Sequence, residues 1–189
     1  KFKKLSSAFV CVIGLGGVGG TALEALARSG VKRILIIDCD VVNESNLNRQ
    51  LLYKINDIGK GKVDCAIKHL KEINDEIDVI GLNIKIDNDS IKKLNDYKID
   101  FIIDAIDDMA GKISIAKFAK ENDIPFIVSL GMANKFCPEK IQIASLNKSC
   151  GDPLGKKYRY LLKENDVNID SIKCVFSSEQ PIKEGNKLN

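Results

Sequence analysis

A chain of 189 residues with 44% hydrophobic content can bury one sizeable core, and it fits a single domain spanning 1–189 better than two. Its 29% of charged residues, and the lack of any apolar run near the ~20 residues needed to cross a bilayer, exclude a membrane span. A net charge of +3 permits contact with a polyanion but does not by itself mark a nucleic-acid binder.

In chain order, residues 8–13 form a short apolar run rich in Val and Ile, without polar alternation, as a parallel strand covered on both faces reads. A glycine loop and an alanine-rich helix over 21–28 follow, then similar runs at 33–37, 100–103 and 125–130, and a weaker one at 78–84. Between them Val63, Ala66, Ile67, Leu70 and Ile73, and later Ile113, Ala116, Phe118 and Ala119, recur with helical period. After Leu130 the pattern changes: Ile141 and Ile143 alternate with Gln142 and Ala144, a helix is expected over about 152–163, and 174–177 is β-like. The order predicts an α/β, Rossmann-like, doubly wound and mostly parallel sheet, with additional antiparallel strands in the C-terminal third. The polar tail, 183–189, reads as loose.

Gly14-Leu15-Gly16-Gly17-Val18-Gly19 comes straight after the first strand and opens a helix. There, glycines let the backbone approach a phosphate, and the helix N-terminus presents N–H groups and partial positive charge to it. Asp38 ends the second strand, where an acidic side chain accepts hydrogen bonds from a ribose. A nicotinamide dehydrogenase would carry the same pattern, so these residues fix a nucleotide but not its chemistry. The separation comes from Asp40, Asn46, Asn48, Arg49, Gln50 and Lys62, which put two cations and several amides just beyond the same strand. A triphosphate has a use for that second cluster: Arg49 to neutralise phosphate oxygens, Lys62 as a mobile point charge on the leaving pyrophosphate. Among Asp104, Asp107 and Asp108, after the fourth strand, Asp107 is expected to hold the Mg²⁺ that accompanies ATP. Asp107 and Asp108 suit equally well the N-cap of the helix beginning near Met109.

These motifs, GLGGVGG at Gly14, IIDCD at Ile36, SNLNRQ at Ser45, GKGKVD at Gly59 and DAIDD at Asp104, together resemble the ubiquitin-activating-enzyme-like superfamily. That superfamily includes the bacterial activators of thiamin and molybdopterin sulfur carriers. The resemblance implies that Asp38 holds the ribose, Asn46, Arg49 and Lys62 the phosphates, and Asp107 the metal. Stretches at 128–133, 141–146, 152–154 and 174–179 are similar to the tRNA threonylcarbamoyladenosine dehydratases, and the zinc-binding CxxC pairs of many sulfur-carrier activators are missing. The implied activity is ligase-type: ATP adenylates the threonine carboxylate of a modified adenosine beside the tRNA anticodon, and the carbamoyl group then closes a ring. The alternative is adenylation of the C-terminal Gly-Gly of a ubiquitin-like sulfur carrier. The resemblance further implies a homodimer and a sulfur-transfer partner protein. The family's helices before the first strand, and a strand and helix after residue 179, are expected to lie outside this sequence, which opens at Lys1 and reads as a fragment.

Cys11, Cys39, Cys65, Cys137, Cys150 and Cys174 follow no metal-ligand spacing and read as reduced thiols of a cytoplasmic protein. Cys174 reads as a buried strand residue, Cys150 as the more reactive loop thiol and His69 as solvent-exposed. Lys148, Lys156, Lys157, Arg159 and Lys163, with Tyr158 and Tyr160 among them, are the most basic stretch. They read equally as a solvated helix face or as a contact for tRNA phosphates and bases.

Overall fold

The computed structural model describes residues 2–182, so the tail expected to be loose lies outside the described residues. The chain gathers into two compact units, 1–126 and 127–189.

The first unit opens with a short helix, α1 (Phe2–Ser7), and then alternates strands and helices: β1 (Phe9–Ile13), α2 (Gly17–Arg28), β2 (Arg33–Asp38), α3 (Lys62–Ile73), β3 (Asp78–Asn83), β4 (Phe101–Asp104) and α4 (Met109–Glu121). Its strands lie in the order β3-β2-β1-β4, all parallel. β1 is buried along its whole length because both faces of the sheet are covered, which is why its sequence shows no polar alternation. Val10, Val12, Ile34 and Ile36 pack with Leu23 and Ala27 of α2 and Val63, Ala66 and Leu70 of α3. Cys11, Ile13, Leu35 and Ile37 point the other way, toward Ile115, Phe118 and Ala119 of α4. Truncating a fully buried member such as Ile34 to Ala is worth roughly 2–5 kcal/mol.

β3 reads weakly in sequence because Gly81 interrupts it, yet a Cβ at Gly81 would come 2.5 Å from Val63 Cγ1, so the glycine lets α3 lie close on the sheet. The chain winds outward from β1 to β3 and then returns to place β4 on the far side of β1. The reversal opens a crevice at the carboxyl ends of β1 and β4, where ligands of open α/β sheets bind. The crossover between β2 and α3 carries two single-turn 3₁₀ helices, Glu44–Asn46 and Ile55–Asp57, and is anchored in the core by Val42, Leu52 and Tyr53.

The second unit contains all but the first residue of β5 (Phe126–Ser129), then β6 (Ile141–Ser145), α5 (Pro153–Glu164) and β7 (Lys173–Ser177). β7 runs parallel to β5, pairing Ile127 with Lys173, and β6 reverses against β7, pairing Ile141 with Ser177. The antiparallel element expected in the C-terminal third is therefore the β6–β7 pair. Asp152 caps α5 by accepting the N–H groups of Leu154 (3.2 Å) and Gly155 (2.8 Å), and it also accepts the N–H of Gly131 (3.0 Å). Tyr158 and Leu162 of α5, with Leu146, Cys174 and Phe176, supply buried apolar side chains.

Candidate active site

Gly14 leaves β1 with φ +90°, a conformation that favours glycine, and a Cβ there would sit 2.8 Å from the backbone of Ala105. α2 starts at Gly17, four residues before the start at Thr21 expected from helix propensity. Packing overrides propensity here: a Cβ at Gly19 would lie 1.8 Å from the carbonyl oxygen of Gly14, so glycines are what allow the first turn to sit against the loop. The N-cap, Gly16, has no side chain to bond the first amides, which leaves them for an anion.

A cavity of about 640 Å³ opens over this turn. It is lined by Gly14, Gly16 and Gly17, by Asp38 and Asp40 beyond β2, by Asn46, Arg49 and Gln50 of the crossover, by Lys62 at the start of α3, and by Asp107. Of the residues singled out in the sequence, Gly19, Asn48 and Asp104 are outside the lining; Gly19 serves the packing just described.

The side chains are held from below. Asp38 accepts the N–H of Leu15 (2.6 Å) and of Asp40 (2.8 Å), which fixes its carboxylate between the glycine loop and the crossover. Lys62 is not a mobile point charge: its ammonium donates to Asp40 at 2.8 Å and its side chain is only 7% exposed. Arg49 Nη1 donates to Ser45 O and Asn48 Oδ1, both at 2.8 Å, so the guanidinium plane is set before any ligand arrives. Asn46 accepts the N–H of Asn43 at 3.0 Å. Gln50 is buried beside the cavity, and its Oε1 has no hydrogen-bond partner among the described residues, an expensive arrangement that a ligand donor would relieve. The Tyr53 hydroxyl donates to Leu15 O at 2.8 Å and ties the crossover to the glycine loop; burial pushes this phenol well above its ordinary range.

The two adjacent aspartates divide their work. Asp108 accepts the N–H of Gly111 at 2.8 Å and caps α4, which leaves the exposed Asp107 carboxylate at the cavity. Ile84, Lys85, Ile86 and Ile106 also line the cavity, and none of them was singled out in the sequence as a site residue. The parallel register Asp38↔Asn83 brings the segment after β3 level with the site.

Cys174 is fully buried and its thiol is pushed up to about 11 by burial, whereas Cys150 is exposed. His69 is half-buried, not solvent-exposed, because α3 packs near α2 and brings its Nε2 to 3.2 Å from Glu24. Arg28 and then His69 hold the Glu24 carboxyl below the usual range. In α5 the side chains split by helical face: Tyr158 is fully buried and unable to stack on a base, and Arg159 Nη1 donates to Ser149 O at 2.8 Å. Lys156, Lys157, Tyr160 and Lys163, with Lys148 ahead of the helix, are the exposed members of the basic stretch.

Residues 1–135 match the ThiF family. A tRNA threonylcarbamoyladenosine dehydratase of Bacillus subtilis is 40% identical over 178 residues, covering 94% of this chain and 70% of the relative. The sulfur carrier protein ThiS adenylyltransferase of the same organism is 37% identical over 128 residues, covering 66% of this chain and 38% of the relative. A crystal structure of Escherichia coli tRNA N6-threonylcarbamoyladenosine dehydratase in complex with ATP superposes with a TM-score of 0.92 at 31% identity, covering 97% of this chain and 78% of that one. The chain belongs to the ThiF family, in its tRNA threonylcarbamoyladenosine dehydratase branch.

Proposed function

We propose that residues 1–189 act as one ATP-binding activating domain that dehydrates N6-threonylcarbamoyladenosine in tRNA: the threonine carboxylate is adenylated with release of pyrophosphate, and the carbamoyl group then closes a ring as AMP leaves. The observation that carries the reading is the cavity in which an uncapped helix N-terminus, Arg49, Lys62 and Asp107 converge, in a chain that matches dehydratases along almost its whole length. A carboxylate is a poor electrophile; as an acyl phosphate anhydride it is open to internal attack by a neighbour already in place. No covalent bond to the protein is needed.

The residues present fit ATP with Mg²⁺. Asp38 is braced to receive the ribose, and the α2 amides with Asn46, Arg49 and Lys62 face the phosphates. The unpartnered Gln50 Oε1 is an acceptor waiting for a donor. Asp107, free of the capping duty, is the hard oxygen ligand for the metal, which when bound would screen phosphate charge. Lys62 and Arg49 are preorganised by protein contacts, so little reorganisation is left for the moment when charge develops on the leaving pyrophosphate. In this reading the protein works in the cytoplasm as a homodimer and receives help from a sulfur-transfer partner. Among the described residues no helix is long and apolar enough to cross a membrane.

Activation of a sulfur carrier is not favoured, because the likeness to the carrier adenylyltransferase covers 66% of the chain against 94% for the dehydratase. Mass analysis of nucleosides from tRNA incubated with the full-length protein and ATP tests the proposal. The expected result is an ATP-dependent loss of water from the modified adenosine, and an unchanged nucleoside would refute it.

A further inference from the structure

The loop 105–108 presents Asp107 to the cavity, yet no hydrogen bond or ion pair among the described residues holds the Asp107 carboxylate itself; its position is inherited from the backbone. That backbone is fixed at both ends. Ala105 N–H donates to Ile13 O at 2.8 Å, and at the far end Lys112 N–H donates to Asp108 O at 3.0 Å. Between these ends runs a buried ion pair. Asp104, the last residue of β4, is 0% exposed and Lys112, in the first turn of α4, is 1% exposed, with Nζ 3.0 Å from Oδ1. The same Oδ1 accepts the N–H of Ile106 at 3.3 Å, so one carboxylate oxygen grips both the loop and the helix. The second oxygen, Oδ2, is buried and has no hydrogen-bond partner among the described residues.

This arrangement is a poor way to gain stability. Two charges are taken out of water, one acceptor is left unmet, and burial drives the Asp104 carboxyl upward against the pull of Lys112. Replacing a buried ion pair by apolar side chains of similar volume is often neutral or stabilising. What apolar groups lack is direction. The pair fixes the strand end, the Ile106 amide and the helix start relative to one another, and the four residues between strand and helix, 105–108, all line the cavity.

We infer that Asp104 and Lys112 are positioning residues for Asp107, their buried pair holding the loop 105–108 so that the Asp107 carboxylate meets the cation carried by the nucleotide. The inference rests on the reading that Asp107 is that cation's ligand. In the full-length protein, Asp104→Leu combined with Lys112→Met removes both charges while keeping the volume filled, and Asp104→Asn, which keeps the carboxylate's shape, answers the same question should the double variant not fold. Two readouts besides turnover apply. Amide exchange over 105–108, measured without nucleotide, should quicken at least about tenfold while the amides of β1 and β2 keep their protection. By calorimetry, ATP affinity without Mg²⁺ should stay unchanged, and the gain on adding Mg²⁺ should fall about tenfold, the loss typical of removing a group that orients a metal ligand.

Asp107→Asn is measured alongside. If that variant loses the Mg²⁺ gain while the pair variants keep it, the inference is overturned and the metal reading stands. If Asp107→Asn keeps the full gain, the metal reading itself fails and takes the inference with it.

Discussion

Lys62→Met separates a phosphate-binding lysine from one that merely braces the fold. The methionine retains the aliphatic stem, so the packing of a side chain only 7% exposed is preserved and the charge alone is deleted. The partner left behind, Asp40, keeps 62% of its side-chain surface in water, so the lost pair is screened and worth at most about 1 kcal/mol of stability. If Lys62 instead meets charge that grows on the leaving pyrophosphate, turnover should fall at least ~100-fold, or ~2.7 kcal/mol of transition-state stabilisation. Arg49→Ala should fall comparably, because its guanidinium is preset by Ser45 O and Asn48 Oδ1 and loses no buried partner when removed. Steady-state dehydration of modified tRNA together with thermal melts reads both quantities. Near-normal turnover in both variants, or a loss of turnover matched by a collapse of the melting temperature, would refute the phosphate roles.

Gly19→Ala puts a methyl where the Gly14 carbonyl oxygen stands 1.8 Å away, so the first turn of α2 must shift; overpacking of this kind costs about 1–3 kcal/mol or more, and denaturant melts should show it together with weakened ATP binding. Changing Lys156, Lys157 and Lys163 together to Ala should weaken tRNA binding and flatten its salt dependence by roughly one released counterion per lost phosphate contact, with ATP binding intact; an unchanged salt slope would turn the tRNA away from this face. Glu179 accepts the N–H groups of Cys137 (2.9 Å) and Phe136 (2.9 Å), which hold its carboxyl below the usual range. Its folded-state value is depressed, so it stabilises the protein above the ordinary carboxylate range, and that contribution is lost as pH falls through the depressed value. Glu179→Gln should therefore be less stable than the parent at pH 7, and the two should converge at strongly acidic pH in urea titrations. A gap that persists in acid would assign the effect to something other than the carboxylate charge.

The parallel strands were legible because burial on both faces writes itself as unbroken apolar runs, as in β1, and the glycine loop because strand, loop, helix and acid fall in order. The start of α2 was not, since glycines argue locally against helix and only the close approach of Gly19 to Gly14 explains their presence in the first turn. Lys62 could be placed at the start of a helix but not given its partner, because the Asp40 contact closes across a crossover whose path no periodicity describes. For the same reason the walls formed by Ile84, Lys85 and Ile86 and the Tyr53 brace went unseen: sheet register and tertiary packing, not local pattern, bring them to the site. In α5 a string of basic and aromatic residues could not say which face turns inward; the structure buries Tyr158 and turns Arg159 Nη1 onto Ser149 O.

On the proposed function, this cavity activates the carboxylate of a modified adenosine in tRNA. Mass analysis of nucleosides from tRNA treated with the full-length protein, with and without ATP, tests it most directly. N6-threonylcarbamoyladenosine should lose water only when ATP is present, and Lys62→Met should abolish most of the conversion. The proposed function is contradicted if the nucleoside is untouched by the parent protein while a small protein ending in a flexible Gly-Gly drives ATP–pyrophosphate exchange.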